Sequence, residues 1–163
     1  MPTIKTVDLR HDGGMIFHAD PSSGHAIVFD DRYSNHGGSP VETVLAALAS
    51  CSGMDVISIA VKKRQTIEQY EIHVRGVQRD EYPQVYTEID ITHAFVGQNL
   101  SEAALRRCIE LSATKYCPVN AMLSAGATEV HHRYLIRNTG ADPFEAEDEV
   151  VVTGPFRRPD IVG

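Results

Sequence analysis

Cys51, Cys108 and Cys117 are the side chains of this sequence best suited to nucleophilic or redox chemistry, and their surroundings differ sharply. Pro118 disfavours helical geometry at Cys117 but suits the first position of a new helix, so Cys117 falls at a helix N-terminus. There, unpaired backbone N–H groups and the helix dipole stabilise a thiolate. By local physics Cys117 is therefore the better acid, and its alternative role is a helix cap without chemistry. Cys51 falls in the middle of a long helical stretch, where the backbone N–H groups are already used. Its activation requires a neighbouring cation; without one it is a small buried hydrophobe. Cys108 lies between Leu105 and Ser112 on an inward stripe and reads as packing. An odd number of cysteines, behind an N-terminus (MPTIKTVDLR) with no apolar signal segment, argues against a disulfide framework and against export. The expectation is a cytoplasmic protein whose thiols matter through reactivity.

Other chemistries lack their patterns. No Cys-x-x-Cys or His-Glu-x-x-His is present, and adjacent His131 and His132 on a strand point to opposite faces, so no metal site is expected. No Gly-rich loop precedes a helix in the manner of a phosphate or dinucleotide cradle, so no cofactor is expected. No serine sits in Gly-x-Ser-x-Gly. A net charge of −7 argues against nucleic acid as a partner. Val44–Val61 matches a membrane span in length, but Asp55, Gly53, three serines and helix-capping residues suit a water-soluble helix, and no membrane role is expected.

The elements that must position these thiols begin with Ser39–Lys63. Ser39 is an N-cap, Pro40 the first helical residue and Glu42 the acid of a capping box, while Lys62, Lys63 and Arg64 close the helix where its dipole favours positive charge. Val44, Leu48, Cys51 and Asp55 share one stripe, widened by Leu45, Val56 and Ile59. The small residues around Cys51 (Ala46, Ala47, Ala49, Ser50, Ser52, Gly53) predict a central buried helix packed closely against a neighbour. Before it, 3–9, 15–19 and His25–Phe29 read as strands joined by turns at 10–14 and 20–24. After it, Tyr70–Val77 and Val85–Phe95 alternate as strands. A helix capped by Ser101 is expected to run to about Tyr116, a short one from Pro118 to Ser124, and a last strand over Val130–Arg137. The order is α+β, an antiparallel sheet with helices on one face, occupying 1–138. Residues 139–163, rich in acidic residues and proline, are expected to form a mobile extension outside the core, with only Val150–Val152 able to add a strand.

The motif Ser-Pro-x-Glu at 39–42, the small-residue helix carrying Cys51, and Lys-Tyr-Cys-Pro at 115–118 together resemble the OsmC/Ohr family of hydroperoxide-handling proteins, in its OsmC-like, YhfA-like branch. The resemblance covers about residues 3–137. It implies an intertwined homodimer in which antiparallel sheets wrap two packed central helices. It also implies a two-cysteine peroxidase in which Cys51 attacks the O–O bond of an organic hydroperoxide and becomes a sulfenic acid, Cys117 resolves it as a disulfide, and a dithiol, lipoyl in the peroxidase members, reduces that bond. The apolar wall for the organic group would come from Val44, Leu48 and Ile59 with Met54 or Met122. The family's peroxidases carry Glu directly after the proline; here Val41 holds that place and the carboxylate follows at Glu42. Glu42 lies nine residues, about 13 Å, before Cys51 and points the opposite way on a straight helix, which suits its capping role. Asp55 is the candidate to replace it by orienting an arginine. The activating arginine corresponds best to Arg10, with Arg32 second, and a solvated turn is the alternative role of Arg10. A non-catalytic member of the fold, a stress-associated or small-molecule-binding dimer, is the second reading.

Overall fold

The computed structural model describes residues 2–155, which divide into two compact units, one ending at Val44 and the other beginning at Leu45. In the first unit, β1 (Val7–His11), β2 (Phe17–Pro21) and β3 (Ile27–Phe29) form a three-stranded antiparallel sheet. The first turn falls two residues later than its sequence signal suggested, because Gly13 and Gly14 supply the positive φ angles that close it. Ser39 then starts α1 (Pro40–Lys62). Its backbone N–H donates to a Glu42 carboxylate oxygen at 3.3 Å, the return half of a capping box.

The second unit is built on a four-stranded sheet in the order β4 (Thr66–Gln78), β5 (Tyr86–Gln98), β6 (Glu129–Asn138), β7 (Phe144–Thr153). Alternation along β5 and β6 buries Ile89, Ile91, His93 and Phe95 beside Val130, His132, Tyr134 and Ile136. The other face carries charge, with Arg133 bridging Asp90 and Glu149.

Two expectations change here. The sheet is mixed rather than antiparallel, because β5 and β6 run parallel. Between them the chain makes a helical crossover, which parallel neighbours require: α2 (Glu102–Leu111), a π-helical turn (Ser112–Tyr116) and α3 (Pro118–Ser124). Ser101 caps α2 as expected, its hydroxyl accepting from the Ala104 N–H at 3.3 Å. The chain beyond 138 is not wholly an extension: β7 pairs antiparallel with β6 along its length. Glu145 and Glu147 alternate outward with Phe144 and Ala146 turned inward, and Asp148 is exposed beside Arg106 of α2 at 3.0 Å. A bulge opposite His132 and Arg133 admits one additional residue, and Val150, Val151 and Val152 are all buried. The part of that expected extension at 156–163 lies outside the described residues.

Leu48, Ser52, Gly53, Val56 and Ala60 form the buried face of α1. Gly53 lets the helix sit close to β4: a Cβ there would stand 2.7 Å from Ile72 Cδ1, so that side chain would have to shift. The helix is long and apolar enough to cross a membrane, yet this face packs on the sheet. On its other side Ala46, Ala47, Met54, Ile57 and Val61 are exposed in the single chain.

Candidate functional site

Cys51 and Asp55 stand one helical turn apart on α1 and so project from one face. Cys117 arrives from the crossover. Its N–H donates to the Ser112 carbonyl at 2.9 Å, closing the π-helical turn. Its own backbone is then extended (φ −73°, ψ 103°), as the following proline demands. The result is a non-local cluster in which Cys51 Sγ, Cys117 Sγ and an Asp55 carboxylate oxygen all lie within 4.8 Å of one another. Such π-helical irregularities are frequent at functional sites.

Buried polar groups fix this cluster. The Ser112 hydroxyl donates to Asp55 Oδ2 at 3.0 Å and stands 3.1 Å from the Ser52 hydroxyl, and both serines are fully buried. Cys117 Sγ accepts from the Asn120 N–H at 3.3 Å. The Asn120 side chain donates from Nδ2 to the Ala113 carbonyl at 2.8 Å, which leaves Oδ1 to accept from His132 Nε2 at 2.9 Å and from the Thr153 hydroxyl at 3.3 Å. His132 stacks on His93 at 6.5 Å, and His93 Nδ1 is 2.7 Å from the Tyr70 hydroxyl. A polar chain thus runs from Cys117 into the middle of the sheet.

The electrostatics alter one sequence expectation. Burial pushes the Cys117 thiol up to about 12, and the neighbouring Cys51 adds to the rise. The Asn120 and Val119 N–H groups pull the other way, as a helix N-terminus should, but they do not offset desolvation. Burial therefore overrides the acidity that the cap position of Cys117 suggested. Access separates the two thiols: Cys117 is only 3% exposed, while Cys51 is partly open. Cys108 is buried in a different apolar cluster, with Leu105, Ile109 and Tyr134, and burial raises its thiol as well.

The apolar surroundings also differ from expectation. Cys117 packs with Leu48, Ile89, Ile91 and Val130, and Cys51, Val119 and Leu123 line the same cluster. Ile59 belongs to the other cluster, and Met54 and Met122 are 71% and 69% exposed. Arg10 lies on β1, paired with His18 across the hairpin, and is exposed. Arg32 donates to the Tyr33 hydroxyl at 2.8 Å. Glu42 sits in the first turn of α1 and serves its cap.

The sequence carries no local signal for the roles of Ser52, Ser112, Asn120 and His132 at this site, because those roles are non-local; locally Ser52 is one of the small residues around Cys51, Ser112 belongs to an inward stripe and His132 to a strand. Only the Asn120 backbone is foreshadowed: two residues after a Cys-Pro pair, its N–H sits where it can reach the cap sulfur.

A family model described as OsmC-like protein matches residues 33–133, which contain both thiols and the carboxylate between them. The chain belongs to the OsmC-like family. Among its relatives, protein YhfA of Escherichia coli K12 is 37% identical over 123 residues, covering 76% of this chain and 91% of YhfA. A hypothetical protein from Aquifex aeolicus has the same fold at a TM-score of 0.74 and 30% identity, covering 86% of this chain and all of that one. Further away, the organic hydroperoxide resistance protein OhrB of Bacillus subtilis overlays at a TM-score of 0.56 with 18% identity, covering 81% of this chain and 98% of OhrB. At that identity the likeness concerns the OsmC-like fold alone.

Proposed function

We propose that this protein is a thiol-dependent peroxidase that reduces organic hydroperoxides through Cys51 and Cys117. The observation that carries the reading is the placement of two sulfurs, 66 residues apart in sequence, within 4.8 Å in an apolar cluster. Cys51, the more accessible, attacks the distal oxygen of R–OOH as a thiolate. The O–O bond breaks, R–OH leaves after taking a proton, and Cys51 becomes a sulfenic acid. The Cys117 thiol then attacks that sulfur; the S–S bond forms and the hydroxyl leaves as water. A dithiol, for which a lipoyl group is the expected form, restores both thiols by exchange. The reaction belongs in the cytoplasm, where thiols are kept reduced.

Leu48, Val119 and Leu123 beside the thiols favour a substrate with a hydrocarbon body. The expected result is faster consumption of cumene hydroperoxide than of hydrogen peroxide with dihydrolipoamide as reductant, measured by loss of peroxide. Equal slow rates for both, no better than a free thiol at the same pH, would favour the non-catalytic binding protein instead.

The same reading includes a homodimer. Met54, Ile57 and Val61 leave an apolar helix face uncovered in one chain, and the small residues Ala46 and Ala47 allow a second backbone to approach it. Light scattering is expected to give twice the chain mass, 17.9 kDa for one chain; the mass of a single chain would contradict it.

A further inference from the structure

The two thiols and the carboxylate are a metal-donor set as well as a redox pair. Tetrahedral zinc, with bonds of about 2.3 Å to sulfur and about 2.0–2.2 Å to oxygen, holds its donors roughly 3.5–3.8 Å apart. The three atoms already lie within 4.8 Å of one another, so a closure of about 1 Å brings them to ligating distance. Their chemistry also fits. Two sulfurs and one carboxylate oxygen suit a borderline-soft divalent ion, and three protein ligands leave the fourth position for water.

The support behind the donors is already in place. The Ser112 hydroxyl holds Asp55 Oδ2 while the Ser52 hydroxyl braces Ser112, and the Asn120 N–H points at Cys117 Sγ. Ser52, Ser112 and Asn120 are each buried, so these orientations are fixed by packing and not by mobile surface groups. Such outer hydrogen bonds orient ligands and set metal affinity. Cys51 and Asp55 are partly exposed and give an ion its way in.

We propose that in its dithiol state this chain binds one zinc(II) ion through Cys51, Cys117 and Asp55, and that disulfide formation expels it. Binding converts two thiols and Zn²⁺ into a bis-thiolate complex and releases two protons. Oxidation by a hydroperoxide takes two electrons from the two sulfurs. The complex, R–OOH and two protons give the disulfide, R–OH, water and free Zn²⁺. Metal and peroxide therefore compete for the same sulfur electron pairs, and zinc inhibits any reaction that begins at Cys51. The occupancy rests on donor placement and not on peroxide turnover, so it stands or falls separately from the peroxidase reading.

The test is zinc titration of the reduced full-length chain against a chromophoric chelator, with cobalt(II) substitution to read thiolate charge-transfer absorption. One ion per chain is expected, with the charge-transfer band reduced in Cys51→Ser and in Cys117→Ser and zinc affinity falling roughly 100-fold in each. Ser112→Ala is expected to weaken binding by about 10-fold or more. Cys108→Ala, altered in the other cluster, is expected to bind as the parent does. The parent oxidised with diamide is expected to lose the ion, an arm that needs no substitution. Failure of the reduced parent to bind zinc at micromolar concentration would overturn the proposal. Equal binding by the oxidised parent, or by the Cys51→Ser/Cys117→Ser double variant, would overturn it too.

Discussion

Cys51→Ser is expected to lower hydroperoxide turnover by at least about a thousandfold, to the background of the reductant alone. A serine hydroxyl is protonated at neutral pH and its oxygen is a poor acceptor of peroxide oxygen, so the first bond is never made. Cys117→Ser should behave differently. Cys51 keeps its access and its apolar surroundings, so one molecule of peroxide is consumed per subunit and the reaction then stalls at the sulfenic acid. Stopped-flow consumption of cumene hydroperoxide separates the two outcomes as no burst and a single-equivalent burst. Cys108→Ala serves as the control, since Cys108 packs in the other cluster. Sustained turnover in Cys51→Ser would remove the thiol chemistry from this helix altogether.

The second large effect concerns stability in acid. His93 and His132 are buried in the sheet behind the thiols. Desolvation lowers His93 from its ordinary 6.5 to about 4. Desolvation, then the charges that would sit on His93 and His131, lower His132 to about 3. Tyr70 faces His93 and Asn120 faces His132, and neither is a carboxylate that would favour the charged ring. His131 itself projects to the other side, toward Glu149 at 3.0 Å. The unfolded chain takes up protons at these two positions as the pH falls through 6.5, whereas the folded chain resists until about 4 and about 3. Stability from the neutral rings is thus complete above pH 6.5 and is lost as the pH falls through the folded values. The loss accumulates below pH 6.5 and by the folded values is on the order of 3 kcal/mol for His93 and on the order of 5 kcal/mol for His132. Urea denaturation at stepped pH between 7 and 4 should show it as a steep decline that flattens in His93→Gln and His132→Gln. An unchanged slope in both variants would show that these rings do not control acid unfolding.

The sequence exposed those parts of the fold whose signals are local. Ser39, Pro40 and Glu42 mark the start of α1, Ser101 caps α2, and Pro118 opens α3, each through a contact made within a few residues. The parallel pairing of β5 with β6 left no such mark, because it depends on where a thirty-residue crossover returns the chain. β7 was missed for a related reason. Its acidic residues read as a solvated tail when taken together, yet Glu145 and Glu147 alternate with Phe144 and Ala146, and a bulge lets the consecutive Val150 and Val151 both join the apolar core. At the site, the helix-terminal effect at Cys117 had the right sign, but burial, which a local reading cannot measure, outweighed it. The expectation of no metal site tested only short spacings. Cys51, Asp55 and Cys117 join two elements far apart in sequence, which those spacings do not sample.

The central claim is that Cys51 and Cys117 act as one redox pair. Its most direct measurement is peptide mapping by mass spectrometry, without reductant, after the reduced chain has met one equivalent of cumene hydroperoxide. The expected product is a Cys51–Cys117 disulfide in nearly every chain, with Cys108 still a thiol. Chains in which Cys51 is over-oxidised to sulfinic acid while Cys117 stays reduced, or in which neither thiol has reacted, would contradict it.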